Sequence, residues 1–229
     1  MINWQEIHQF DQLLTLKINS WNCSITDPIW QFFSNIPVWI PMYVLIIALL
    51  IWKLGWKKGL IILAGALLTC GFCDQFSNLI KDATQRIRPL NDEFMKAQGL
   101  HILEKGGGYS FFSAHSANAF GLACCTFIGF RNCLRARIIK QMYTSVTCNL
   151  PTTSETSGQA TTSESTSLPK WFKAYTTWMF CWAFMVAVSR IFVGKHYLGD
   201  VIVGITVGVL AGYTFGRLTS YIANRYIKA

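Results

Sequence analysis

Long apolar stretches separated by short polar segments dominate the sequence. An α-helix crosses the ~30 Å hydrocarbon core of a bilayer with about 17 to 25 mostly apolar residues. Five runs approach this length: Ile36 to Trp52, Leu60 to Ile80, Ala114 to Phe130, Ala174 to Ile191 and Val201 to Leu218. We predict an all-α fold, a polytopic membrane helix bundle with about five to six transmembrane helices in a single domain over residues 1–229.

The first 21 residues carry a different pattern, in which apolar side chains recur at helical spacing between polar ones. The apolar positions are Trp4, Ile7, Leu14, Ile18 and Trp21. This predicts an amphipathic helix at the membrane interface. The same periodicity fits a helix packed against the bundle. We expect no cleavable signal peptide, because no apolar core lies between a basic start and a small-residue cleavage site.

Composition and charge support a membrane protein. Apolar residues make up 52% of the chain and charged residues 14%, which argues against a water-soluble globule. The net charge is +9. The basic residues lie between the apolar runs instead of along one polar face, so we expect the bilayer as a partner and no nucleic-acid partner.

The basic residues also predict an orientation. They gather between the first and second runs, at Lys53, Lys57 and Lys58, and again between the third and fourth runs. Positively charged loops face the cytoplasm. Residues 81–113 and 190–200 then fall on the opposite side. We expect a multi-pass protein of the cell membrane, namely a bacterial inner membrane, with these two segments facing the periplasm or exterior.

Residues 144–169 differ in composition from the rest of the chain. The segment is rich in Ser and Thr, its charged residues are Glu155 and Glu164, and Pro and Gly interrupt it. Such a segment buries too little apolar surface to offset the entropy lost when it becomes ordered. We predict a disordered cytoplasmic linker within the domain.

The eight cysteines raise the question of a metal or redox site. Cys70 and Cys73 have the C-x-x-C spacing, but no second pair and no histidine follow at the spacing typical of zinc ligands. Most of the cysteines lie inside apolar runs, where a free thiol behaves as a small hydrophobe. We therefore expect neither a metal ion nor a cofactor.

Three polar clusters lie at the edges of apolar runs, where charges are costly and tend to be functional. They are KDATQRIRP at residues 81–89, FFSAHS at 111–116 and SRIFVGKHYLGD at 189–200. Lys81, Arg88 and Arg190 supply cations, and the arginine forks match phosphoryl oxygens. Taken singly, each cation could instead be a residue that extends its charge to the membrane surface. The predicted orientation places all three clusters on one face.

The second cluster fits an anion site. Ser113 precedes an apolar run and suits the N-cap of a helix. The free N–H groups of Ala114 and His115, together with the helix dipole, would bind an anion there. Hydrolysis of a phosphate ester also needs an acid that protonates the leaving oxygen, and by elimination His115 is the candidate for this role.

The third cluster contains a histidine and a carboxylate. His196 and Asp200 are four residues apart, close enough to share a helix face or a turn. A carboxylate that accepts from one imidazole nitrogen leaves the other nitrogen free to attack phosphorus. The spacing alone does not distinguish attack by His196 from activation of water.

Together the motifs K-x6-RP, S-x-H and SR-x5-H-x3-D resemble the three-part signature of the type 2 phosphatidic acid phosphatase superfamily, which also contains vanadium-dependent haloperoxidases. The resemblance implies a reaction that needs no metal ion and proceeds through a phosphohistidine. By this resemblance, the phosphate ligands are Lys81, Arg88, Ser113 and Arg190. The general acid is His115, the nucleophile is His196, and the carboxylate that orients the nucleophile is Asp200.

The chain departs from the family pattern at two positions. The family usually has Pro-Ser-Gly-His, whereas this chain has Phe112, Ser113, Ala114 and His115. Ala114 keeps its N–H but disfavours a positive φ, so the phosphate site requires helical or extended backbone there. Phe112 removes the proline that would restrict the entry to the helix.

We expect hydrolysis of a lipid phosphate monoester or diphosphate at the outer face of the membrane. Similarity to compact bacterial members implies undecaprenyl diphosphate, phosphatidylglycerol phosphate, phosphatidate or lipid A phosphate as the substrate. An alternative is a non-catalytic phospholipid-binding or transport protein that uses the same cations as a clamp. Vanadate-dependent halide oxidation is a further alternative, disfavoured because that chemistry generally belongs to soluble relatives.

Overall fold

The computed structural model describes residues 3–148 and 167–227. Within these ranges the chain is helical and contains no β-strand. The helices are α1 (Trp4–Asn19), α2 (Asp27–Ser34), α3 (Ile40–Leu54), α4 (Trp56–Thr84), α5 (Glu93–Ala97), α6 (Ala114–Cys148), α7 (Lys170–Phe192) and α8 (Leu198–Tyr226), with 3₁₀ turns at Ile36–Trp39 and Pro89–Asn91. The all-α prediction is confirmed. The first apolar run spans the turn Ile36–Trp39 and most of α3, and the other four lie in α4, α6, α7 and α8.

Three stretches of the described chain are long and apolar enough to cross a membrane: Ile36–Leu54, Trp56–Ala97 and Leu198–Tyr226. The runs in α6 and α7 fall below that level of hydropathy. Helix α6 packs against α4, α7 and α8, so much of its surface faces protein instead of lipid. That interior tolerates Thr126, which is fully buried and accepts a 2.7 Å hydrogen bond from the hydroxyl of Tyr175.

Close packing of α6 against α8 holds the bundle together. Gly204, Gly208, Gly212 and Gly216 recur at every fourth position of α8 and face the backbone of α6. A Cβ at Gly208 would lie 2.2 Å from the carbonyl oxygen of Ala117. Small residues at this spacing let two helices in a membrane approach closely.

The ends of four helices meet at one end of the bundle. Helices α4 and α7 end there, and α6 and α8 begin there. Gly194, with φ +80°, turns the chain between α7 and α8. The reversal is held by the N–H groups of Lys195 and His196, which donate to the carbonyl of Arg190 at 3.1 and 3.2 Å. All three polar clusters therefore lie at this end.

Helix α1 covers the same end through its polar side. Gln12, Thr15 and Asn19 are buried, whereas 81% of Trp4 and 64% of Phe10 are exposed. The buried side chains bind neighbouring elements: the Asn19 amide donates to the carbonyl of Ile191 in the last turn of α7 at 3.0 Å, and the Gln12 amide donates to Oδ2 of Asp92 at 2.8 Å. The helix therefore packs on the bundle through its polar side, and its apolar side faces outward; its place at a membrane interface stays a prediction.

The predicted linker at residues 144–169 overlaps α6, which continues to Cys148. Its residues 149–166 lie outside the described residues, and α7 begins at Lys170.

Candidate active site

A cavity of about 580 Å³ opens among the four helix ends. Six of the eight residues predicted for the site line it: Lys81, Arg88, Ala114, His115, Arg190 and His196. The other two, Ser113 and Asp200, are fully buried behind this lining. The structure therefore brings the whole predicted set together.

His196 and Asp200 lie side by side at the start of α8. Asp200 Oδ2 is 3.4 Å from His196 Nδ1, and Nδ1 has no hydrogen-bond partner within the described part of the chain. This separation is longer than an ordinary hydrogen bond, and such contacts often shorten when substrate binds. Burial lowers the pKa of His196 to about 4, although the nearby Asp200 opposes the shift. The imidazole is therefore neutral at pH 7, and with the proton on Nδ1 the lone pair lies on Nε2.

Asp200 is held by several donors. Its Oδ2 accepts hydrogen bonds from the Ser110 hydroxyl and, at 3.1 Å, from the N–H of Tyr197. The second contact caps the first turn of α8. Its Oδ1 accepts a 2.7 Å hydrogen bond from Arg86. A carboxylate that accepts this many bonds keeps its charge and orientation.

The cations approach the cavity from three elements. Lys81 lies in the last turn of α4, Arg88 in the loop that follows, and Arg190 in the last turn of α7. Arg190 is 2% exposed. It donates to the hydroxyl of Ser34, while its Nε is buried and has no partner among residues 3–148 and 167–227. Arg88 donates from Nε to the carbonyl of Gly108 at 3.3 Å. Buried guanidinium donors that lack partners are suited to bind an anion.

Helix α6 begins at the cavity as predicted. The Ser113 side chain accepts from the N–H of Ser116 at 3.4 Å and from its hydroxyl at 2.9 Å. Ala114 is the first helical residue and does not have a positive φ, so the absence of glycine leaves the backbone N–H groups of the first turn in place. Phe112 is 1% exposed, and its carbonyl accepts a 3.2 Å hydrogen bond from Ser77. Burial of Phe112 anchors the entry to α6 where the family has proline.

The sequence analysis missed four charged residues around the site. Arg86 pairs with Asp200, and also with Asp11 at 2.7 Å. Lys195 lines the cavity and pairs with Glu104. Burial would raise the pKa of Glu104, but hydrogen bonds from Lys195 and Ser34 outweigh it and lower that pKa. Arg86 and Lys195 lie inside the first and third polar clusters, so they could have been found as basic neighbours of the motif residues. Nothing in the sequence pointed to Asp11 or Glu104.

The cavity continues from the cations into an apolar groove. Its walls come from α3, the 3₁₀ turn before it, α4, α6 and α7, and include Trp39, Tyr43, Ile46, Leu50, Leu63, Leu67, Leu122, Trp182 and Val186. Asp74 lies between the two halves, seven residues from both Lys81 and Leu67 on one face of α4. It accepts a 2.7 Å hydrogen bond from Asn118. One continuous space can therefore hold a charged group and an aliphatic chain.

A family model described as the PAP2 superfamily matches residues 59–224, which include all three clusters. The chain belongs to the PAP2 superfamily. The resemblance inferred from the motifs is thereby confirmed.

Two curated relatives resemble this PAP2 protein along most of its length. A lipid A 4′-phosphatase of Bacteroides thetaiotaomicron is 27% identical over 198 residues, covering 83% of this chain and 70% of the relative. A lipid A 4′-phosphatase of Porphyromonas gingivalis is 25% identical over 225 residues, covering 97% and 78%.

A solved structure shares the fold. It is a transmembrane PAP2-type phosphatidylglycerolphosphate phosphatase from Bacillus subtilis, with a TM-score of 0.62 and 16% sequence identity, and the match covers 97% of this chain and 90% of that one. This similarity, together with the apolar helices, confirms the membrane helix bundle.

Proposed function

We propose that this PAP2 protein is a lipid phosphatase that hydrolyses a phosphate ester through a phosphohistidine, without a metal ion. The observation that carries this proposal is the continuity of a cationic pocket, which contains His196, with an apolar groove. Such a space suits an amphiphile whose phosphate contacts the cations while its chains occupy the groove. The curated relatives, both lipid A 4′-phosphatases, support the same class of reaction.

The first chemical step would transfer the phosphoryl group to the enzyme. Nε2 of His196 attacks phosphorus, and the bond from phosphorus to the alcohol oxygen breaks. His115, which the negative charge of the bound phosphate would keep protonated, gives its proton to that oxygen. Lys81, Arg88 and Arg190, with the N–H groups at the start of α6, would stabilise the charge on the phosphoryl oxygens. Asp200 would stabilise the positive charge that develops on His196.

The second step would release phosphate. His115, now neutral, accepts a proton from water as the water oxygen attacks the phosphohistidine. The bond from phosphorus to nitrogen breaks, and the electron pair returns to Nε2. Inorganic phosphate leaves, and His115 is again protonated for the next cycle.

Because both relatives are lipid A 4′-phosphatases, we infer that the substrate is a phosphate monoester on a lipid A-type glycolipid. Phosphatidylglycerol phosphate, phosphatidate and undecaprenyl diphosphate remain the comparison substrates. The decisive experiment measures phosphate release from these four lipids in detergent with excess chelator. We expect activity that resists the chelator and is lost in His196→Asn.

A matched control comes from another histidine. His101 pairs with Asp27 at 3.0 Å and does not line the cavity, so His101→Asn should keep the wild-type rate. Full activity in His196→Asn would exclude the mechanism. Lipid binding without turnover by the wild-type protein would favour the non-catalytic clamp.

We also propose a multi-pass topology in an inner membrane with the site at the periplasmic face. The support is the charge of the opposite end, where Lys58 contacts Asn224 at 3.3 Å and most of the loop cations lie. The test uses Cys23, an exposed free thiol in the loop between α1 and α2 at the site end. A membrane-impermeant maleimide should label Cys23 in spheroplasts. In a Cys23→Ser background, Lys57→Cys should be labelled only after lysis. The reverse pattern would overturn the orientation.

A further inference from the structure

Arg86 joins three parts of the molecule that meet behind the cavity. It follows the end of α4, and 19% of its side chain is exposed. Its Nη1 donates to Asp200 Oδ1 at 2.7 Å, and its Nη2 donates to Asp11 Oδ2 at 2.7 Å. The same Nη2 lies 3.1 Å from Nδ1 of His8. The guanidinium also stacks 4.0 Å from the centre of the Tyr197 ring.

These contacts leave the guanidinium little freedom to move. The Arg86 fork reaches two carboxylates on different elements, one on α1 and one on α8. Asp11 is itself fixed, since its Oδ1 accepts from the N–H of Gly199 at 2.8 Å. Helix α1, the guanidinium and the first turn of α8 therefore form one closed set of hydrogen bonds.

Arg86 acts on Asp200 by a second route through the backbone. Its carbonyl accepts a 2.8 Å hydrogen bond from the N–H of Ser110, and the Ser110 hydroxyl donates to Asp200 Oδ2. One residue thus orients both oxygens of the carboxylate, directly at Oδ1 and through Ser110 at Oδ2. The latter oxygen is the one that faces His196.

Arg86 differs from the cations of the cavity. The cavity lining includes Lys81, Arg88 and Arg190 but not Arg86. A bound phosphate in that cavity would contact the first three side chains. Arg86 would reach the reaction only through Asp200.

We propose that Arg86 is a positioning residue, whose guanidinium holds Asp200 ionised and aimed at His196 while Asp11 fixes the guanidinium from α1. The proposal rests on the proposed function, because it assigns His196 as the nucleophile. Loss of the fork leaves a fully buried carboxylate without its cation, which is a costly state that favours protonation or rotation of Asp200. A lysine supplies one ammonium group and cannot make the same forked pair of contacts.

The test uses the full-length protein in detergent with a lipid phosphate, and compares Arg86→Gln, Arg86→Lys and Asp11→Asn. Rapid-quench measurements give the rate constant and amplitude of phosphohistidine formation, and inhibition by orthophosphate reports the cation pocket. We expect Arg86→Gln to lower the rate constant about 100-fold, within the range known for loss of a proton-transfer or orienting group. Arg86→Lys should recover part of the rate, and Asp11→Asn should lose about 10-fold.

The inhibition constant for orthophosphate should change less than about 3-fold in all three variants, because Arg86 does not line the cavity. The acid limb of the pH profile of kcat/KM should move to higher pH in Arg86→Gln, since loss of a cation raises the pKa of His196. Matched controls are Arg135→Gln, an exposed arginine on α6, and Glu6→Gln, an exposed acid on α1. Both should behave as wild type.

Several outcomes would overturn the proposal. One is a wild-type rate constant in Arg86→Gln; another is a lower amplitude with an unchanged rate constant, which would mean only fewer folded molecules. A wild-type rate in Arg86→Lys would show that the forked contacts of the guanidinium are not needed. If Arg86→Gln does not fold, Arg86→Lys and Asp11→Asn decide, and wild-type rates in both would refute the role. Activity in His196→Asn would instead refute the proposed function, whereas an inactive His196→Asn beside a fully active Arg86→Gln would refute only this inference.

Discussion

Nδ1 of His196 lies 3.4 Å from Oδ2 of Asp200, in a site where the imidazole is 2% exposed. Burial lowers the pKa of His196 from 6.5 to about 4. The neutral form therefore persists well below the pH at which a free histidine takes up a proton. A nucleophile of this kind remains available across the physiological range.

The first prediction concerns pH. The acid limb of kcat/KM in the free enzyme should lie below pH 6.5 and near pH 4, because protonated His196 cannot attack phosphorus. The unfolded chain binds a proton at this histidine near pH 6.5 and the folded chain only near pH 4. As pH falls through this window, the folded state therefore loses stability.

Thermal unfolding against pH checks the stability part of this prediction. The melting temperature of the wild type should fall more steeply between pH 6.5 and 4 than that of His196→Asn, which lacks the titrating group. Parallel curves for the two proteins would show that His196 does not contribute to the pH dependence.

The second prediction concerns phosphate binding by Arg88. Arg88→Gln should weaken inhibition by orthophosphate about 10- to 100-fold, because a hydrogen bond to a charged group contributes about 1.5–3 kcal/mol. Its side chain is only partly buried, so the variant should fold. Arg135→Gln, at an exposed position, serves as the control. An unchanged inhibition constant in Arg88→Gln would show that Arg88 does not bind the phosphate.

The third prediction concerns the apolar groove. Leu63 lines it, whereas Leu68 is 57% exposed on another face of α4. Leu63→Trp should lower kcat/KM for a long-chain lipid phosphate about 10-fold and leave hydrolysis of p-nitrophenyl phosphate unchanged, because added bulk displaces the chain alone. Leu68→Trp should affect neither substrate. Equal losses on both substrates in Leu63→Trp would indicate general distortion instead of a chain-binding groove.

The fourth prediction concerns the contact between α6 and α8. Gly208→Ala places a methyl group 2.2 Å from the carbonyl oxygen of Ala117, so the helices must separate, at a cost of about 1–3 kcal/mol. A Cβ at Gly71 would have no described atom within 4 Å, and Gly71→Ala should be neutral or slightly stabilising because alanine favours the helix. Thermal unfolding in detergent measures both variants. Equal melting temperatures would show that the contact is not close-packed in solution.

Much of the fold follows from local pattern. The length and hydropathy of the apolar runs predict the five long helices, since a segment in lipid must satisfy its backbone N–H and C=O groups by hydrogen bonds within the segment. The residues of the predicted site could also be identified, because Lys81, Arg88, His115, Arg190 and His196 place charged or titratable groups where apolar sequence ends. The sequence did not indicate that α1 packs through its polar side, since buried polar residues that bind neighbouring elements resemble a solvent-facing surface.

The sequence by itself determined the helices, the end of the bundle at which the polar clusters meet, and the identity of the eight residues predicted for the site. These properties depend on residue type and on short spacings, such as the four residues from His196 to Asp200. Only the tertiary structure decided which partners surround them. Arg86 and Asp11 are 75 residues apart in the chain, and their contact exists because α1 folds back over the ends of α4 and α8. The groove, likewise, arises from side chains of four helices whose relative placement depends on close packing of backbone against glycine.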